Sequence, residues 1–339
     1  MDQLAEKGCF SAKYPIHLQG SDSQKAGDCG EKRRFIVLKV AVVGAGYLGR
    51  HHARIYSELD EVELAGVVDT NEARAREVAA KYCTKAYQDY RDALDTVDAM
   101  SIVVPTTGHF EIALGCIRAG KDVLVEKPIA ATVSDADELV SEAEKRNRVL
   151  QVGHLERYNP GFVALSEMVK RPVFLEATRR SPFLNRSVDV DVTLDLMIHD
   201  IDIVLSLVSS PVERIAASGS SLVTGKIDEA RAWIEFGNGA VASLLASRIS
   251  REKQRWLRVF QNNSCAELDF QTCTIELRST SNPLKPETIR LGSIEPLKEE
   301  LLDFVRCVAG RTRPKVSGIE GRNALRVALD INSAMERKR

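Results

Sequence analysis

Between Phe35 and about Val152, short apolar runs alternate with amphipathic stretches. Val40-Ala41-Val42-Val43, Leu64 to Val68, Ala99 to Val104, Val123-Leu124-Val125 and Val149 to Val152 are largely apolar runs, as expected of strands covered on both faces. Gly46 to Leu59, Asn71 to Tyr82, Phe110 to Ala119 and a stretch from Ser134 to about Arg146 read as helices. Gly120 stops the third at the position where helices turn left-handed. Ser134 caps the fourth, with Asp135 and Asp137 in its first turn. Strands alternating with helices of this length predict a doubly wound parallel sheet.

After Gly153 the period changes. Ala232-Trp233-Ile234-Glu235-Phe236, Ala240 to Ala246, Trp256 to Phe260 and Thr274 to Leu277 alternate, and Gly237-Asn238-Gly239 reads as a tight hairpin turn. Leu194 to Leu207, Pro296 to Ala309 and Ile319 to Met335 have helical spacing. The second half is therefore predicted to be α+β, with a mostly antiparallel open sheet. With 339 residues, two domains are expected, at 35–152 and 153–339. Residues 1–34, rich in Gly, Ser, Lys and Asp, are expected to be a disordered extension and not a secretory signal.

Composition narrows the function classes. A formal net charge of −1 points to neither nucleic acid nor an anionic membrane as partner, and no apolar run approaches the ~20 residues that span a bilayer. The seven cysteines (Cys9, Cys29, Cys83, Cys116, Cys265, Cys273 and Cys307) are odd in number and contain no CxxC pair. A reducing, cytoplasmic setting fits them better than a disulfide framework, although Cys265 and Cys273 could face each other across a hairpin.

Three groups carry candidate chemistry. Gly44-Ala45-Gly46-Tyr47-Leu48-Gly49 follows the first strand and opens the first helix. Gly44 permits the turn, Gly46 admits a pyrophosphate to the backbone, and Gly49 allows close helix–strand packing. Asp69 ends the second strand, where a carboxylate accepts the ribose hydroxyls of NAD and repels the extra phosphate of NADP. The plain alternative is a glycine-rich turn without a ligand. Second, in Glu126-Lys127-Pro128 the lysine leaves a parallel strand at its carboxyl end, where it can hold a substrate oxygen and stabilise developing negative charge; otherwise it is an ordinary surface lysine. Third, Asp195 and His199 stand four apart on a helix, so the carboxylate can orient the imidazole and stabilise its protonated form. Such a histidine takes a hydroxyl proton as hydride leaves the same carbon; the alternative is a core histidine. Asp202 reads as a second partner or a solvated acid, and Asp200 as surface. Hydride transfer needs no metal, and none is expected.

From about Ile36 onward, the glycine motif together with Ala119-Gly120-Lys121-Asp122-Val123-Leu124-Val125-Glu126-Lys127-Pro128 resembles the Gfo/Idh/MocA oxidoreductases. The resemblance implies a Rossmann domain binding NAD. It implies that Lys127 acts in catalysis and in placing the nicotinamide, and that His199 is the general acid/base with Asp195 beside it. Cofactor contacts are implied for Tyr47, Leu48, Pro105, Thr106, His109 and Glu126, with loop packing as the other role open to His109. The family often has Asn where this chain has Thr107. Gly153-His154-Leu155-Glu156-Arg157-Tyr158-Asn159-Pro160 resembles the subgroup acting on nucleotide sugars such as UDP-N-acetylglucosamine, oxidised to a 3-keto form. Arg157, Arg179 and Arg180, more weakly Arg186, could meet the diphosphate as charge-assisted partners. Tyr158 is expected beside the substrate. A homodimer or homotetramer is expected, since an open sheet needs its free face covered. An inositol or free-sugar dehydrogenase, or a non-catalytic NAD-binding regulator, are the rival readings.

Overall fold

The computed structural model describes residues 37–184, 190–292 and 294–337. The extension expected at residues 1–34, and Arg186, lie outside the described residues.

The alternating half folds as a six-stranded parallel sheet. Its elements are β1 (Leu38–Val43), α1 (Tyr47–Glu58), β2 (Val62–Val68), α2 (Glu72–Lys81), β3 (Lys85–Tyr87), β4 (Ala99–Ile102), α3 (His109–Arg118), β5 (Asp122–Glu126), α4 (Val133–Lys145) and β6 (Leu150–Gly153). The strand order is β3-β2-β1-β4-β5-β6, so the chain reverses direction across the sheet between β1 and β4. The carboxyl ends on either side of that reversal open a crevice for ligands. Val40, Ala41, Val42, Val123, Leu124 and Val125 are buried at 4% exposure or less, because helices cover both faces. The sequence missed β3, whose Lys85-Ala86-Tyr87 is too short and too polar to read as a strand. It also misplaced a cap. Thr132, not Ser134, accepts the Asp135 amide and starts α4 one residue beyond itself.

The second half contains α5 (Pro160–Met168), β7 (Phe174–Arg180), α6 (Ile198–Leu207), β8 (Val212–Ser220), β9 (Glu229–Phe236), β10 (Val241–Ser247), β11 (Gln254–Gln261), β12 (Ser264–Asp269), β13 (Thr274–Ser279), β14 (Asn282–Arg290), α7 (Pro296–Gly310) and α8 (Gly318–Glu336). The strands form an eight-stranded sheet in the order β14-β13-β12-β11-β7-β10-β9-β8. Only the β7–β10 pair is parallel. The Gly237-Asn238-Gly239 turn joins β9 to β10, with Gly239 at φ +83°. One face packs on α6 and α8 through Ala232, Ile234, Leu244 and Leu257. The five cysteines among the described residues, Cys265 and Cys273 included, are free thiols.

The division expected after residue 152 is crossed by the C-terminal helices. Leu301, Phe304 and Val308 of α7 pack with Val40 and Ile55 against the parallel sheet. On α8, Leu325 joins the parallel-sheet core, while Ala324, Ala328 and Ile331 join the core of the second sheet. One helix thus ties both layers together.

Candidate active site

The nucleotide cradle sits where β1 gives way to α1. Gly44 has φ +104°, and a Cβ there would stand 2.2 Å from the Val103 carbonyl oxygen. At Gly49 a Cβ would fall 1.7 Å from the Gly44 carbonyl oxygen. Both positions require glycine because backbone already fills the space. Gly46 differs: nothing lies within 4 Å of its would-be Cβ. It stands at the N-terminus of α1, which has neither a side-chain cap nor an acidic first turn. The first-turn amides of Tyr47, Leu48 and Gly49 are therefore left for an anion, which the helix dipole favours. Tyr47 itself is 78% exposed, and Leu48 packs inward.

Beside the cradle is an open pocket of about 610 Å³, lined in part by Gly46, Asp69, Arg74, Pro105 and Thr107. Asp69 accepts the Ala45 amide at 2.9 Å and the Asn71 amide at 2.8 Å. One carboxylate thus knits the glycine turn to the start of α2. These residues fit a dinucleotide: amides for the pyrophosphate, an acid for the ribose. The sequence reading missed Arg74, whose guanidinium lies 3.5 Å from Asp69. The signal was present, since Asn71 caps α2 and turns its first residues back toward the β2 end.

Two of the expected cofactor contacts, His109 and Glu126, are engaged within the fold. His109 is 1% exposed, and its ring nitrogens lie 2.7 Å from the Pro128 carbonyl and 2.8 Å from the Val104 carbonyl. Burial pushes its pKa down. It fastens the loop after β4 to the turn after β5, the packing role of the two left open. Glu126 points into the fold, with Oε1 3.3 Å from His52 Nε2. His52 is in turn held by Ser101 at 2.8 Å. A Cβ on Gly153 would come within 2.8 Å of that carboxylate, so Gly153 makes room for it. Thr106 begins a short 3₁₀ turn, and its neighbour Thr107 lines the pocket.

Lys127 emerges at the carboxyl end of β5, and its peptide bond to Pro128 is cis. Its ammonium donates to the Asp195 backbone carbonyl at 2.6 Å and stands 3.7 Å from the Asp195 carboxylate. Asp195 thus faces Lys127, and no hydrogen bond or ion pair joins it to His199 among the described residues. Thr193–Met197 forms a π turn before α6 begins.

His199 is partly exposed, yet its Nδ1 is buried and has no hydrogen-bond partner among the described residues. Its pKa lies well below the ordinary value, first through burial and then through the cations Lys127 and Arg179. The expected stabilisation of its protonated form is thus reversed. A neutral imidazole beside an ammonium is a base beside an electrophile, the pair needed to take a hydroxyl proton and hold the oxygen left behind.

The substrate arginines separate. Arg179 is buried and donates to Asp200 at 2.8 Å and to Glu156 at 2.7 Å, so its guanidinium is spent on two carboxylates. Burial works against its charge, but the two carboxylates hold its pKa above the ordinary value. Asp200, expected at the surface, is the buried partner that this cation requires; breaking such a pair costs about 3–5 kcal/mol. Tyr158 also turns away: it is 2% exposed and donates to Asp303 at 2.7 Å. Asp202, read as a second partner for His199 or a solvated acid, is buried 3.7 Å from Arg157, and burial lifts its pKa to about 7. Arg157 retains 13% exposure. Arg180 ends β7 with a buried Nε that has no partner among the described residues. It is the expected arginine most open to a ligand.

Sequence reasoning gave no role to His154, directly after β6. Its ring is 1% exposed and meets that of His199 edge-on, with centroids 6.2 Å apart at 84°. Burial, with Lys127 and Arg157 nearby, pushes its pKa down to about 3.

Residues 38–154 match the model of an oxidoreductase family with an NAD-binding Rossmann fold, and residues 169–264 match the GFO/IDH/MocA C-terminal domain. UDP-N-acetylglucosamine 3-dehydrogenase of Acidithiobacillus ferrooxidans is 38% identical over 310 residues, covering 89% of this chain and 98% of that protein. Its solved structure superposes with a TM-score of 0.85, covering 89% of this chain and 99% of the other. Myo-inositol 2-dehydrogenase of Thermotoga maritima is 29% identical, covering 89% of this chain and 97% of that protein.

Proposed function

The chain belongs to the Gfo/Idh/MocA family of NAD-binding oxidoreductases, and from that premise we propose that it oxidises the 3-hydroxyl of a UDP-N-acetylglucosamine-like nucleotide sugar to the ketone. The observation that carries this reading is the convergence of Lys127 with a neutral His199 at the carboxyl edge of the parallel sheet. NAD, when bound, supplies the hydride acceptor. The amides after Gly46 and the Asp69 carboxylate hold its pyrophosphate and ribose. His199 takes the hydroxyl proton, and Lys127 steadies the oxygen as negative charge develops on it. Asp195 sets the position of the Lys127 ammonium. Arg180, with Arg157, faces the diphosphate.

The substrate is supported by the 38% identity to the UDP-sugar enzyme against 29% to the inositol enzyme. We further propose a cytoplasmic homo-oligomer. The free thiols among the described residues support a reducing compartment, and the face of the second sheet that the described residues leave uncovered supports association. No helix among the described residues is long and apolar enough to cross a membrane.

The test is turnover of UDP-N-acetylglucosamine, UDP-glucose and myo-inositol, followed by NADH absorbance and by mass detection of a product two units lighter than its substrate. Lys127→Ala and His199→Ala should each lower kcat by about 10²–10⁴-fold with NAD affinity retained. Turnover of myo-inositol alone would move the assignment to the inositol branch. Tight NAD binding without turnover would favour a regulator.

A further inference from the structure

His154 is a buried histidine whose hydrogen bonds are unmade. Neither Nδ1 nor Nε2 has a partner among the described residues, although the ring is 1% exposed. Buried polar groups are as a rule satisfied, so two orphaned nitrogens on one ring call for an explanation. Another orphaned imidazole nitrogen, Nδ1 of His199, belongs to the ring packed edge-on against it. The charged and titratable groups that face His154 are Lys127, Arg157 and Glu126, together with His199. His154 lies just beyond the carboxyl end of β6, next to the strand that delivers Lys127.

The remaining capacity of the ring specifies what it can take. A neutral imidazole offers one N–H donor and one lone pair. Its low pKa keeps both across the whole neutral range. A sugar ring presents closely spaced groups that accept and donate, which is the complement of that pattern. A phosphate would not suit it, because phosphate oxygens only accept and favour a cation.

We infer that His154 is a further substrate-contacting residue, whose uncharged ring gives one hydrogen bond to, and takes one from, the polar substituents beside the carbon that is oxidised. The inference rests on the nucleotide-sugar reading above. It makes His154 a specificity determinant: a substrate without a polar substituent at that point leaves both nitrogens unpaired, and such absences discriminate strongly.

The test compares wild type with His154→Phe and His154→Gln. For UDP-N-acetylglucosamine, His154→Phe should lower kcat/KM by about 10–100-fold, with a raised KM. The NAD dissociation constant should not move. His154→Gln keeps one donor and one acceptor and should recover part of the loss, which a purely structural role would not predict. Wild-type kcat/KM in His154→Phe, or a loss confined to NAD affinity, would overturn the inference. If His154→Phe fails to fold, titration of ¹⁵N-histidine-labelled wild type decides, with His154→Gln identifying the signal. UDP-N-acetylglucosamine should shift the His154 ring nitrogens, and no shift overturns the inference. A wild type that turns over no nucleotide sugar fails differently, since it removes the functional reading and this inference with it.

Discussion

At the scale of single residues the site is governed by which groups are denied charge. Lys127, Arg179, His154 and Arg255 all push the His199 pKa down, in addition to burial. Because kcat/KM reports the free enzyme, it should stay level as pH falls from 8 to 6.5 and decline only below that. The same shift has a stability sign. The folded pKa lies below the unfolded value of about 6.5, so the unfolded chain binds more protons once the pH drops below it. The contribution is fully present above 6.5 and is lost as the medium acidifies. His199→Phe removes it, so between pH 7 and 5 wild type should lose stability relative to the variant, by up to about 1.4 kcal/mol per pH unit. Asp202 and Glu300, whose burial raises their pKa values, tilt the opposite way but are common to both proteins. Chemical denaturation across that range checks the difference, and parallel curves would refute it. Asp69 sets the second expectation at this scale. Asp69→Ser removes the carboxylate and leaves Arg74, formerly 3.5 Å away, to meet a 2′-phosphate. The NADP-to-NAD ratio of kcat/KM should rise by about 10–100-fold, the worth of one charge-assisted hydrogen bond. An unchanged ratio would show that Asp69 does not face the ribose.

At the scale of elements, the glycine turn offers a contrast that few motifs allow. Gly46 has open space where a Cβ would go, whereas at Gly49 the space belongs to the Gly44 carbonyl. Gly46→Ala should therefore leave the melting temperature within about 2 °C and weaken NAD about tenfold by intruding on the ligand. Gly49→Ala must push α1 off β1, costing roughly 1–3 kcal/mol of stability together with NAD affinity. Calorimetry with NAD titration separates the two, and equal melting losses would sink the distinction. These positions were legible in the sequence because each follows from spacing along one strand–turn–helix unit. The buried strands were legible for the same reason: Val40 to Val43 need only be apolar and bounded. What escaped depends on tertiary partners. Asp200 looks like surface until β7 supplies Arg179, and β7 itself carries Glu176, Arg179 and Arg180 in a strand that no alternation marks. The π turn before α6 was invisible because its residues suit an α-helix equally well. His154 was passed over because a histidine after a strand carries no periodicity at all.

At the scale of the molecule, the second sheet has one face packed on α6 and α8 and the other uncovered by any of the described residues. On the uncovered face Phe174 stacks at a tilt against Trp233 and Phe260, with ring centroids 5.8 and 5.7 Å apart. Trp233 is 43% exposed and neighbouring Val173 48%. Around them lie ion pairs, Arg258 with Glu176 at 3.2 Å and with Glu267 at 2.8 Å, and Arg258 also stacks on Trp256. Aromatic side chains at the centre with arginine and carboxylates at the margin is the make-up of a protein interface. A second copy of the chain would satisfy the pattern, each copy presenting the same face. Light scattering should give at least twice the 37.5 kDa chain mass at micromolar concentration. Trp233→Glu sets a new carboxylate beside Phe174 and near Glu235, and should shift the species to monomer. Because the nucleotide cradle is built on the other sheet, NAD affinity should survive that change. A monomeric wild type would mean that this aromatic face is not where copies of the chain meet. A Trp233→Glu variant that loses NAD binding together with its mass would instead show that the two sheets depend on each other more than their separate cores imply.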